Sequence, residues 1–136
     1  MIFYLPSRYE FWEFRLLKPD AVIVLDATYA NKKQGIELSK GGVITVSDKS
    51  VILSPSERNN ISDIFRKSSI PIQFEVYNYS GTDAKSFPMA GLDANVIALL
   101  VPTKNNHSPN EICSSYDIKN TIDGVKLLAK SESVWF

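Results

Sequence analysis

The chain has 136 residues, 44% of them hydrophobic, with 15 Lys+Arg balanced by 15 Asp+Glu. That length fits one domain spanning 1–136 and excludes most two-domain enzymes, and the hydrophobic content excludes a disordered chain. A formal net charge of zero excludes the electrostatic footprint of a general nucleic-acid or anionic-membrane binder.

Cys113 is the only cysteine, so an intrachain disulfide and a thiolate metal cluster are both excluded, which fits a reducing interior. No apolar run approaches the roughly 20 residues that span a bilayer, and Pro6, Arg8 and Glu10 interrupt the N-terminal apolar stretch. The expectation is a cytoplasmic protein with neither a nucleic-acid nor a membrane partner.

Residues 2–5 (IFYL) read as a short strand, and Phe11, Phe14 and Leu17 recur at helical intervals over 8–17 before Pro19. The unbroken apolar run 21–26 (AVIVLD) reads as a strand covered on both faces, with Asp26 at its carboxyl end. In open α/β sheets ligands bind beyond the carboxyl ends of strands, which makes that acid a site candidate. Residues 30–42 read as a polar loop, and VITV and SVIL as a hairpin or two short strands around Ser47–Ser50.

Ser54-Pro55-Ser56-Glu57 combines an N-cap Ser, a first-turn Pro and a Glu three residues after the cap. This predicts a helix through Ile61, Ile64 and Phe65 to about Ser69, stopped by Pro71 before a strand over 72–77. A second apolar strand is predicted over 95–101, ended by Pro102. Finally, Asp117 is expected to cap a helix whose Ile118, Ile122, Val125, Leu128 and Ala129 form one apolar stripe. The alternation of strands and helices predicts a three-layer α/β domain with a mixed, mostly parallel sheet.

Three groups of residues that could carry chemistry lie where loops leave strands: Asp26, the turn Gly81-Thr82-Asp83-Ala84, and His107. Each has an ordinary alternative. Asp26 would equally satisfy loop N–H groups, Thr82-Asp83 would start a helical turn, and the only histidine would be a surface residue. No GxSxG elbow and no phosphate-binding glycine loop occurs, and Cys113 lacks any neighbour that would clearly lower its pKa, so it reads as buried or inert.

The ordered segments PDAVIVLDAT, IPIQFEVYNYSGTDA and VPTKNNHSPNEICSSYDIKNTIDGVKLLAKS resemble the C-terminal half of the catalytic domain of the glutamyl or deblocking aminopeptidases. These are co-catalytic metallopeptidases, some of which carry the name endoglucanase or cellulase. The resemblance runs from about Pro19 to Lys130, with HSPNE and GTDA its most specific parts. It implies a partial zinc-exopeptidase-like domain and a di-zinc or di-cobalt site, the two metals about 4 Å apart around an activated water.

In that frame Asp26 corresponds to a carboxylate ligand of one metal and His107 to an imidazole ligand of the other. Gly81, Thr82 and Asp83 fall near the substrate pocket, where Asp83 would shape the turn. The family site also needs a further His, a bridging Asp and a Glu-Glu pair, all from sequence before Asp26. Counted back without gaps, the Glu-Glu pair would fall near Phe3-Tyr4, and Glu10 and Glu13 reach it only with a shift. The inserted dimerisation domain is absent as well.

Two functions follow from the resemblance. The chain is part of a peptide hydrolase whose missing ligands come from a complementing chain, or it is a non-catalytic relative acting through interaction and oligomerisation. Both predict self-association, because half of a domain leaves a sheet edge and an apolar face uncovered.

Overall fold

The computed structural model describes residues 2–4 and 18–135. The helix expected over 8–17 lies outside them. Strand β1 (Ile2–Tyr4) is followed by β2 (Ala21–Tyr29), a 3-10 turn at Lys32–Gln34, β3 (Gly42–Ser47), helix α1 (Pro55–Lys67) and β4 (Ile72–Val76). A second 3-10 turn, Asp83–Lys85, runs into the short α2 (Ser86–Met89), and β5 (Asn95–Lys104), β6 (Ile112–Cys113), α3 (Ser115–Lys130) and α4 (Glu132–Trp135) complete the order.

The sheet runs β1-β2-β5-β3-β4, with β6 paired to the end of β5. β1, β2 and β5 are mutually parallel, as are β3 and β4. The two groups meet antiparallel at β3 and β5, in register at Val43↔Leu100 and Ile44↔Leu99. The period of two sorts the central strands onto two faces. Val22, Val24, Val43, Ala98 and Leu100 pack with Ile36, Val51, Ala84 and Phe87 on one side. Ala21, Ile23, Ile44, Ile97 and Leu99 pack with Ile61, Phe65, Leu128 and Trp135 on the other. The expected three-layer α/β arrangement with a mixed, mostly parallel sheet is therefore present.

Helix α1 starts where its capping box places it. Ser54 Oγ accepts the Glu57 N–H at 3.2 Å, and Glu57 Oε2 accepts the Ser54 N–H at 2.7 Å. The VITV and SVIL segments form a minimal hairpin: an antiparallel bridge joins Ser47 to Ile52, Leu53 N–H donates to the Val46 carbonyl at 2.8 Å, and Asp48 N–H donates to the Val51 carbonyl at 3.1 Å. Asp48 Oδ1 accepts the N–H groups of Ser50 and Val51 at 2.6 and 2.8 Å, a side-chain turn that closes the tip.

Strand β5 continues through Pro102 instead of ending there. The Thr103 carbonyl faces β2, where it accepts the Ala30 N–H at 2.7 Å. Position 102 therefore turns away from β2, into the stretch between the end of the β3 pairing at Leu100 and the start of the β6 pairing at Thr103. A missing N–H costs no ladder bond there.

Helix α3 is the larger correction. Its N-cap is Ser114, whose side chain accepts the Tyr116 N–H, and Asp117 lies within the first turn. The buried face is Asp117, Asn120, Thr121, Gly124 and Leu128, while Ile118 and Ile122 are 39% and 50% exposed. The cause is close approach to α1 and to β3: a Cβ at Gly124 would stand 2.9 Å from the Phe65 ring, and one at Gly42 would stand 2.8 Å from Thr121 Oγ1. Small and polar residues fit that gap, and the isoleucines are turned outward. Cys113, expected buried or inert, is exposed on β6.

Candidate functional site

Asp26 has the strand parity of Val22 and Val24, so it projects on the face that Ala84 and Phe87 cover. Strand β2 runs three residues past it, to Tyr29, and the Asp26 side chain is exposed at the mouth of a cleft of about 80 Å³. Gly81, Thr82 and His107 line the same cleft, together with Tyr29 and Glu75. The tertiary structure thus brings Asp26, Gly81, Thr82 and His107 together from three separated segments. Asp83 is not part of the lining, but it is near enough for its charge to act on Asp26.

Partial burial pushes the Asp26 carboxyl above the ordinary carboxylate value, and the N–H of Ala27, donating to Oδ1 at 2.7 Å, opposes this. The charges of Asp83 and Glu111 raise it further, and His107 lowers it. The His107 ring packs edge-on against Tyr29, with centroids 6.3 Å apart, and its backbone holds φ 63°.

The turn before Asp83 is built as its residues lead one to expect. Thr82 Oγ1 accepts the Ala84 N–H at 3.3 Å, capping the 3-10 turn. Ser50 brackets the Thr82 backbone, accepting its N–H at 2.6 Å and donating to its carbonyl at 2.8 Å. Gly81 is needed for this approach, since a Cβ there would lie 2.6 Å from Ser50 Oγ.

Glu75 was not singled out from the sequence. It is 2% exposed and accepts the hydroxyls of Thr28 at 2.6 Å and Thr45 at 3.0 Å, tying β4 to β2 and β3. Burial pushes its carboxyl above the ordinary value, Asp48 adds to the shift, and the two threonine hydroxyls oppose it. An acid at an inward position of the strand IQFEVY is the signal that would have found it.

A larger cleft, of about 450 Å³, lies at the amino ends of β2 and β5 between Lys18–Asp20 and Ala90–Asp93, away from these side chains. Ligands of α/β sheets gather at the carboxyl ends of the strands, which favours the smaller cleft.

A catalytic zinc takes three protein ligands and keeps a position for water. Among the described residues no group of three or more His, Cys, Asp or Glu side chains is placed to hold a metal ion. Asp26 and His107 fit as one carboxylate and one imidazole donor of a larger set, and not as a site of their own.

Asp26 on a central strand and His107 in the loop after its parallel neighbour β5 thus share one cleft. The chain belongs to the M42 glutamyl aminopeptidase family, whose pattern it matches over residues 14–123. An inferred aminopeptidase of Acetivibrio thermocellus is 32% identical over 120 residues, covering 85% of this chain and 36% of its own length. The TET1 peptidase of Pyrococcus horikoshii, which assembles into a tetrahedron or a large octahedral shell, superposes with a TM-score of 0.72 at 27% identity, over 89% of this chain and 37% of its own. A Thermotoga maritima protein named endoglucanase shares the fold at 20% identity, with a TM-score of 0.72 over 96% of this chain and 40% of its own. The chain thus spans a little over a third of the length of these relatives.

Proposed function

We propose that the chain supplies one side of a metal-dependent aminopeptidase site. Asp26 and His107 act as two donors to zinc or cobalt, and another polypeptide contributes the further His, the bridging Asp and the Glu-Glu pair. The observation that supports this reading is the convergence of Asp26 and His107 on one cleft in a chain of the M42 family. The metal, once bound, would supply a polarised water for attack on a peptide carbonyl. Gly81 and Thr82 form the adjoining wall where the N-terminal residue of a peptide substrate would lie, and Asp83 acts on it through its charge. The chain contributes its side of the site as one domain acting in the cytoplasm.

Calorimetric titration with zinc and with cobalt tests the donor pair. Binding should weaken in both Asp26→Asn and His107→Ala, and wild-type binding that neither substitution changes would end the reading. Co-purification of the chain from its native source tests for the complementing polypeptide.

A second reading has its own support in the exposed apolar side chains Ile112, Tyr116, Ile118 and Ile122 around β6 and α3. On this reading the chain is a non-catalytic relative that works through self-association. Light scattering decides that point, and a monodisperse monomer would refute it.

A further inference from the structure

We propose that Thr103 and Glu111 form a clamp that positions the His107 loop against the strand carrying Asp26, an inference that rests on the donor-pair reading above. The loop between β5 and β6 contains two non-glycine residues in the left-handed region, Asn105 at φ 56° and His107 at φ 63°. Asparagine and histidine both adopt that conformation more readily than most side chains, yet in either it persists only where the surroundings over-determine it.

The bonds within the loop close the turn around His107 but do not fix that turn against the sheet. Ser108 N–H donates to the Asn105 carbonyl at 3.0 Å, Asn105 Nδ2 to the Asn110 carbonyl at 3.1 Å, and Asn110 N–H to Ser108 Oγ at 3.2 Å. These hold the loop to itself and leave its attitude to the sheet open. The β5–β6 ladder, in register at Thr103↔Cys113 and Lys104↔Ile112, is too short to set that attitude alone.

The connection to the sheet is made at Thr103, which is 5% exposed and paired with Tyr29 of β2. Its hydroxyl donates to Glu111 Oε1 at 2.7 Å, a charge-assisted bond across the mouth of the loop. The Thr28 carbonyl stands 3.4 Å from the same hydroxyl, and the Thr28 hydroxyl is held in turn by Glu75. One carboxylate therefore fastens the strand two residues beyond Asp26, and the other fastens the loop four residues beyond His107. The edge-on contact of Tyr29 with the His107 ring completes the attachment. Glu111 and Thr103 are positioning residues in this account, acting on His107 through the backbone between them.

The test uses the full chain with Thr103→Val, Thr103→Ser, Glu111→Ala and Glu111→Gln, each checked for a wild-type-like urea midpoint. Amide hydrogen exchange over 105–110 and zinc affinity by competition with a chelating dye are the two readouts. Thr103→Val and Glu111→Ala should speed exchange in the loop about tenfold, the ratio expected when one charge-assisted hydrogen bond leaves a local opening equilibrium. They should weaken zinc binding by about 10-fold to 100-fold, the usual cost of losing an outer partner of a metal ligand.

Thr103→Ser keeps the donor and should behave as wild type, whereas Glu111→Gln keeps an acceptor oxygen without the charge and should fall between wild type and Glu111→Ala. Glu111 is exposed, so its variants remain informative even where Thr103→Val fails to fold. Unchanged exchange in the two disruptive variants refutes the clamp. Faster exchange with unchanged zinc affinity refutes the positioning role. Faster exchange in a chain whose wild type binds no zinc upholds the clamp and removes the donor-pair reading instead.

Discussion

Asp117 offers the most direct check on how the domain is held together. It is fully buried at the start of α3, and each carboxylate oxygen receives one backbone N–H from the loop before β3: Ser39 to Oδ2 and Gly41 to Oδ1, both at 2.7 Å. That loop is awkward, with Ser39 at φ 63° and Gly41 at φ 97°, and a Cβ at Gly41 would lie 2.1 Å from the Pro71 carbonyl oxygen. Asp117→Ala removes both acceptors. Hydrogen bonds to an ionised group contribute roughly 1.5–3 kcal/mol each. Water reaches the Ser39 side but not the buried Gly41 bond, so the expected loss is about 3–5 kcal/mol. A domain with about 5–15 kcal/mol of stability would be left with little margin. Asp117→Asn keeps one acceptor oxygen and sets its NH2 against the other N–H, for a loss of about 2–3 kcal/mol. Urea unfolding followed by fluorescence of the buried Trp135 measures both. An Asp117→Ala loss below about 1 kcal/mol, within the range of an ordinary surface change, would refute the clamp assigned to this carboxylate.

Three further outcomes are expected. The raised pKa of Glu75 means that the folded state holds a proton which the unfolded state releases first. Its contribution is then fully present below the unfolded value and is lost as pH rises through the folded one; Glu75→Gln should flatten that part of the stability profile, and an identical slope in both proteins would refute the assignment. Gly124→Ala gains about 1 kcal/mol of helix propensity but drives a Cβ to 2.9 Å from the buried Phe65 ring, where overpacking costs about 1–3 kcal/mol. A net loss is expected in thermal unfolding, and a raised Tm would show that Phe65 yields freely. Ile118→Lys with Ile122→Lys should reduce self-association in light scattering with little change in the urea midpoint, because both side chains already face outward.

Local chemistry explains what could be read without the fold. The capping box at Ser54–Glu57 satisfies its own N–H groups within three residues, so α1 begins where its residues say it does. The apolar runs of β2 and β5 are covered on both faces and read as strands for that reason. The family motifs around Asp26, GTDA and HSPNE pointed to residues that share one cleft, apart from Asp83, which acts on it only through its charge.

What the tertiary structure alone decided has a common cause, which is distance along the chain. Asp117 reads locally as a cap, but its partners Ser39 and Gly41 lie more than seventy residues earlier, and only the packing of α3 on β3 brings them within bonding range. The rotation of α3, which turns Ile118 and Ile122 outward, depends on how near Gly124 comes to Phe65. Glu75 acquires meaning only when Thr28 and Thr45 arrive from two other strands. The single histidine and single cysteine limited from the outset what chemistry this chain could perform alone, since residue types can be counted without a fold. Which side chains meet, and which apolar faces stay uncovered, depends on contacts that no local pattern encodes.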